Sequence, residues 1–177
     1  MHELANDTID TVGVEIEPEW AAQRAGTLVG DALMLPFADH TFDAVVTSPT
    51  YGNRFADHHN ARDGSVRRSY THDLGRGLHD HNSGKLHWGD KYKDFHRRAW
   101  REARRVLVPY GYVVVNVSDH IRNKQQQPVV EWHLRTLHQL GFDIIDDISV
   151  VTPRQRFGAN AKSRVQGEHI IIARSAP

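Results

Sequence analysis

The chain has 177 residues, no cysteine, and 22 basic against 22 acidic side chains, so its formal net charge is zero. That length suits a single domain with one sizeable core. The composition excludes disulfides, thiolate zinc sites and cysteine nucleophiles; no stretch approaches the ~20 apolar residues of a membrane span, and Met1-His2-Glu3-Leu4 has neither part of a secretory signal, so a cytoplasmic protein without membrane contact is expected.

Thr11 to Ile16 is a short β-branched run that predicts a strand, and Glu17-Pro18-Glu19 reads as a helix start, with Pro at the first helical position and acids in the first turn. Thr27 to Gly30 predicts a second strand leading to Asp31-Ala32. Phe42 to Thr47 is an apolar run of the kind found in buried parallel strands, and Ser48-Pro49-Thr50-Tyr51 follows it directly, with Gly52-Asn53 beyond. From 52 to about 90 no periodicity persists, and Gly, Asp, Asn and His are scattered throughout. An irregular insert is expected there, and loops of that length are usually functional or disordered.

From Asp90 the apolar positions Tyr92, Phe95, Ala99, Ala103 and Val106 recur at three and four residues, predicting a helix that ends before Pro109-Tyr110-Gly111. A strand is expected over Tyr112 to Val117. Pro128 opens a second helix with Val130, Leu134 and Leu137 on one face and Gly141 as its stop. Phe142 to Val151 and His169 to Ala173 read as strands joined by the polar loop Thr152 to Glu168. Strand–helix alternation closing on two strands with no helix between them predicts a doubly wound α/β domain over 1–177, mostly parallel, with an antiparallel terminal strand.

Charge is unevenly spread. Residues 52 to 108 hold 13 of the 22 Lys and Arg but 7 of the 22 Asp and Glu, a local balance of +6, together with seven of the 13 histidines. Tyr70, Trp88 and Tyr92 lie among these charges. A basic segment with interleaved aromatics, directly after a loop at a strand's carboxyl end, suits a polyanionic partner such as nucleic acid. The histidines match no metal-ligand spacing, so no metal is expected, and neither Ser48 nor Ser118 lies in a G-x-S-x-G elbow. Asn116, Ser118 and Asp119 follow a central strand and are candidate cleft residues; Arg154, Arg156, Asn160, Lys162 and Arg164 form a second basic loop.

The tetrapeptide Ser48-Pro49-Thr50-Tyr51 after a strand resembles the S/D/N-P-P-Y catalytic loop of class I S-adenosylmethionine-dependent amino methyltransferases, which methylate an exocyclic nitrogen of a nucleic-acid base. Thr50 stands where that family usually has a second proline. Such an amine is a poor nucleophile because its lone pair is delocalised into the ring, so acceptors must hold its N–H groups out of plane. The resemblance implies that the Ser48 hydroxyl and the Pro49 carbonyl are those acceptors and that Tyr51 stacks on a base that is flipped or single-stranded. Val12-Gly13-Val14-Glu15-Ile16 is similar to the family's second sheet strand, which implies that Glu15 binds the cofactor's ribose and Ile16 lies against adenine. Gly30-Asp31-Ala32 resembles the next motif, whose acid accepts the adenine amino proton. Asn53, Arg54, Arg67 and Arg68 are the candidate substrate contacts.

The family carries a further strand and a Gly-rich loop ahead of the ribose acid, and no counterpart is found here. The expectation is therefore an N-terminally truncated methyltransferase sheet that binds S-adenosylmethionine weakly or not at all. The target implied is cytosine N4 or adenine N6 in DNA, with Ser at the first motif position pointing to cytosine N4. The alternatives are an RNA methyltransferase acting on tRNA guanine N2 and a non-catalytic nucleic-acid-binding remnant.

Overall fold

The structure is a computed structural model; it describes residues 9–52, 69–152, 165 and 167–177, and the backbone of 59–60 and 66–67. In chain order the elements are β1 (Gly13–Glu15), α1 (Pro18–Ala21), β2 (Thr27–Val29), β3 (Phe42–Thr47), β4 (His59–Asn60), β5 (Val66–Arg67) and α2 (Tyr70–Leu74). A 3-10 turn at Ser83–Lys85 precedes α3 (Asp90–Val106), and β6 (Leu107–Val117), β7 (His120–Arg122), β8 (Gln125–Gln127), α4 (Val129–Gln139), β9 (Phe142–Val151) and β10 (Gly167–Ser175) complete the order. They fall into two compact units, one of Met1–Pro36 with Gly52–Phe95, the other of Phe37–Tyr51 with His96–Pro177. Among the described residues no helix is long and apolar enough to cross a membrane.

The first unit holds the parallel pair β1–β2, in register Gly13↔Thr27 to Glu15↔Val29, and the small antiparallel pair β4–β5. Parallel pairing puts the carboxyl ends of β1 and β2 side by side. Gly30 follows β2 where no larger residue fits, since a Cβ there would stand 2.8 Å from Val14 Cγ1. Within the expected irregular insert, α2 forms because the Ser69 hydroxyl caps it by accepting from His72 N–H, and Gly75 ends it at φ 73.

The second unit is built on a four-stranded sheet in the order β3–β6–β10–β9. β3 and β6 are parallel, while β10 is antiparallel to both β6 and β9, so the antiparallel terminal strand expected from the sequence lies between two others. Alternation along β6 buries Val113, Val115 and Val117 completely, and Ile171 and Ala173 of β10 are equally enclosed. Each such Val or Ile is worth about 1.5–3 kcal/mol relative to leaving it exposed.

β6 begins five residues earlier than expected. Phe42 pairs with Leu107 but Ala44 with Tyr112, so residues 108–111 bulge out of the ladder, and Tyr110 takes a left-handed φ of 64° at the bulge. Gly111 is required there, because a Cβ would come within 2.9 Å of the Val108 carbonyl oxygen.

The buried stripe of α3 is Tyr92, His96, Trp100, Ala103 and Val106. Phe95 and Ala99, the apolar positions picked out by spacing, are half-buried, and a histidine and a tryptophan take the inward places next to them. His133 of α4 explains the exchange: Trp100 Nε1 donates to His133 Nδ1 at 3.1 Å, and the His96 and His133 rings meet edge to face at 5.6 Å. Burial holds the His133 imidazole well below its ordinary value, and His96 adds to the effect. Asp119 Oδ1 accepts from Val130 N–H at 2.8 Å and so caps α4 from outside, while Gly141 follows the helix at φ 82.

Candidate active-site residues

In the second unit β3 delivers Ser48 to Tyr51 at its carboxyl end. β6 runs parallel beside it with Thr47 opposite Val115 and ends at Val117, so residues 118–120 leave the sheet at the same end, where open α/β sheets hold ligands. Ser48 is exposed and Pro49, Thr50 and Tyr51 are half-buried. The Ser48 hydroxyl lies 3.2 Å from the Tyr51 hydroxyl, and either can donate. A hydroxyl that gives its hydrogen to Tyr51 keeps lone pairs for an amine N–H.

The residues on the β6 side are differently employed. Ser118 is fully buried and donates to the Gly167 carbonyl at 2.9 Å. Asn116 donates to Glu168, and Asp119 accepts from Gln126 as well as capping α4. These side chains hold the sheet's end together. His120 follows them in a Ser-Asp-His run that lies in no G-x-S-x-G elbow. Burial lowers its imidazole pKa and Arg122 adds to this, against the opposing influence of the Asp119 carboxylate and the Tyr51 main chain, and neither ring nitrogen makes a well-formed hydrogen bond among the described residues. A histidine after Ser-Asp carries no sequence signal that sets it apart from the other twelve.

In the first unit Glu15 ends β1, and Asp31 lies two residues past Val29, Glu15's partner on β2. Two carboxylates thus stand at the carboxyl ends of adjacent parallel strands. Glu15 Oε1 accepts from Glu17 N–H at 2.9 Å. The Tyr70 hydroxyl feels the Glu15 charge: burial raises its pKa and the carboxylate raises it further, keeping a neutral phenol beside the acid, with the Tyr70 ring edge-on to Trp20 at 5.6 Å. Asp31 Oδ1 accepts from Leu33 N–H at 2.8 Å, and Oδ2 lies 2.7 Å from His81 Nδ1. Ile16 is half-buried and Ala32 exposed. Two carboxylates at adjacent strand ends are hydrogen-bond acceptors suited to hydroxyl and amine groups of a ligand, and Gly30 between them lets Val14 pack directly against the backbone that follows β2.

Glu17 has a role that no local pattern reveals. It begins α1 as expected, yet its side chain is completely buried. Oε1 accepts from His79 N–H at 2.7 Å and from Asn82 Nδ2 at 2.9 Å, and Arg76 Nη2 lies 2.9 Å from Oε2. Burial pushes its carboxyl up, but the His79 amide, the Asn82 side chain and Arg76 together outweigh burial and leave the pKa below the usual carboxylate range. The clamp ties residues 76–82 to the start of α1. Gly52, at φ 70, makes a second close approach, its carbonyl accepting from Trp88 N–H at 2.8 Å. Trp88 packs on Tyr92 at 5.2 Å and carries Lys93 Nζ 4.8 Å above its ring.

Asn53, Arg54 and Arg68 lie outside the described residues, as do the basic residues 154, 156, 160, 162 and 164; Arg67 is placed in β5 by its backbone alone. Among the described residues no group of three or more His, Asp or Glu could hold a metal.

A sequence profile of the DNA methylase family matches residues 42–175, from the first residue of β3 to the end of β10. No curated protein matches the sequence. Among solved structures, a Thermus thermophilus protein assigned as a DNA modification methylase is similar at 22% identity and a TM-score of 0.54, over 84% of this chain and 52% of that one. The same protein complexed with S-adenosyl-L-methionine gives 23% identity and a TM-score of 0.51, over 84% and 52%. A SAM-dependent methyltransferase from Methanosarcina mazei gives 13% identity and a TM-score of 0.52, over 93% of this chain and 81% of that one. The fold is therefore shared with these proteins, and the chain spans about half the length of the Thermus structures.

Proposed function

The chain belongs to the DNA methylase family, and from that premise we propose that it transfers a methyl group from S-adenosylmethionine to the exocyclic amine of a base in DNA, cytosine N4 or adenine N6. The observation that carries this reading is the Ser48-Pro49-Thr50-Tyr51 loop at the carboxyl end of β3, inside the matched segment, with the Ser48 and Tyr51 hydroxyls 3.2 Å apart.

The cofactor supplies an electrophilic methyl group on its sulfonium. Ser48 Oγ and the Pro49 carbonyl accept the two amine hydrogens and turn the nitrogen lone pair out of the ring plane. Tyr51 orients the Ser48 hydroxyl and offers its ring as the floor for the extruded base. Glu15 binds the ribose hydroxyls and Asp31 the adenine amine, with Ile16 and Ala32 against the ring. The basic segment that contains Asn53, Arg54, Arg67 and Arg68 meets the phosphates. Serine at position 48, in place of Asp or Asn, favours cytosine N4.

The test is transfer of labelled methyl from S-adenosylmethionine to duplex DNA, single-stranded DNA and tRNA, followed by nucleoside analysis. Label in N4-methylcytosine or N6-methyladenine of DNA is expected. Label confined to tRNA guanine would overturn the DNA assignment, and DNA binding without any transfer would make the chain a non-catalytic binding module.

A further inference from the structure

We propose that His81 is a positioning residue for adenosine recognition, holding the Asp31 carboxylate in the orientation that meets the exocyclic amine; the proposal rests on the cofactor reading above. An ionised carboxylate only accepts, so at 2.7 Å from Asp31 Oδ2 the His81 Nδ1 carries the hydrogen and donates it. Leu33 N–H occupies the other oxygen at 2.8 Å. With one donor on each oxygen the plane of the carboxylate is fixed, and each oxygen retains a lone pair for a ligand.

His81 has little other employment. Its side chain is 60% exposed, and an exposed imidazole–carboxylate pair contributes little to stability. Yet its position is specified through a chain of contacts that begins on a fully buried group. Glu17 Oε1 accepts from His79 N–H at 2.7 Å, and His79 Nδ1 accepts from His81 N–H at 3.2 Å. The two imidazoles meet edge to face at 5.6 Å, and Asn82 Nδ2 on Glu17 at 2.9 Å fixes the residue that follows. A buried anchor thus supports an exposed tip, and the tip ends on the carboxylate that lies beside the ribose acid's strand. Geometry held this way from behind is what makes an acceptor selective. The His79-x-His81 pair, which has no metal-ligand spacing, gains a role: His79 carries the loop and His81 aims Asp31.

The experiment is an NMR titration of the 177-residue chain, to millimolar ligand, with S-adenosylhomocysteine and with its inosine counterpart, in which a carbonyl replaces the amine. Unsubstituted protein is expected to prefer the adenosine ligand. His81→Ala should bind it about fivefold more weakly and lose most of the preference, while His81→Gln, which keeps an N–H donor, restores both. In an Asp31→Asn background His81→Ala should have no further effect, because the group it acts through is gone. Full preference in His81→Ala, with Asp31→Asn abolishing it, overturns the role of His81 and leaves the cofactor reading standing. Absence of any binding by the unsubstituted chain at millimolar ligand, the stronger form of what the missing Gly-rich loop implies, overturns this proposal for the 177-residue chain.

Discussion

Glu17→Ala tests the clamp between the start of α1 and residues 76–82. The carboxylate is fully buried, and its removal strands the His79 N–H and the Asn82 amide, which approach Oε1 at 2.7 and 2.9 Å. Leaving these two part-buried donors without their acceptor costs about 1–3 kcal/mol each, roughly 2–6 kcal/mol together. Arg76 adds little to this sum, since it is 41% exposed and remains bonded to Glu19 at 2.6 and 2.8 Å. For a chain of this length each kcal/mol moves the melting temperature by about 2–4 °C, so a fall of roughly 4–24 °C is expected. Glu17→Gln keeps an acceptor for His79 and Asn82 and should cost less than half as much. Because the folded pKa of Glu17 is depressed, its ionised form contributes stability above the ordinary carboxylate value of 4.5, and that contribution is lost as pH falls through the lowered folded value. Unfolding followed by circular dichroism at pH 7 and at pH near 3 reads both effects. A melting temperature for Glu17→Ala within about 2 °C of the parent at pH 7 would refute the clamp.

Three further outcomes are expected. Tyr51→Ala should slow methyl transfer about 5- to 150-fold, the equivalent of ~1–3 kcal/mol of base stacking, and Ser48→Ala should lose a large part of the activity; full rates in both variants would reduce the tetrapeptide to a turn. Binding to DNA should weaken linearly in log salt, and replacing Arg67 and Arg68 together with Ala should lower the slope by about two; an unchanged slope removes these two residues from the interface. His133 has a depressed imidazole pKa, so its contribution to stability is complete above the unfolded value of 6.5 and declines as pH falls below it. Urea unfolding between pH 8 and 5 should show that loss in the parent and a shallower pH dependence in His133→Gln, and equal dependence in the two would exclude His133 as its source.

The elements readable from sequence were those whose patterning is strong. β3, α4, β9 and β10 declare themselves by apolar runs or helical spacing, and the loop after β3 by its proline between two short-range hydrogen-bonding residues. What escaped lacks such a signal. The β7–β8 hairpin is made of His-Ile-Arg and three glutamines, and its turn puts Asn123 and Lys124 at φ 51 and 61, where only the asparagine hints at a left-handed backbone. α2 is five residues held by a serine cap, too short for any period. His96 and Trp100 took the core positions of α3 because a tryptophan N–H and a histidine nitrogen satisfy each other against α4, a pairing invisible until both helices are placed. Glu15, Asp31 and Ser48 are candidates through linear motifs. Glu17, Arg76, His79 and His81 were not assigned roles, because contacts spanning 50 to 65 residues leave no local trace.

The place of β10 has a consequence for how the chain is made. Residues Gly167–Ser175 enter between β6 and β9, pairing with both. During synthesis β6 and β9 therefore emerge with no ladder joining them, and the ribosome must add the closing strand before either is satisfied. In that interval the valines of β6 and the isoleucines of β9 are open to any other strand, intra- or intermolecular. Even in the finished sheet Ile145, Ile148, Val150 and Val151 of β9 remain exposed along its edge, guarded by Asp143, Asp146 and Asp147. Substitutions that hinder insertion of β10, such as a charge at the fully buried Ile171, should therefore appear first as insoluble protein rather than as weak catalysis.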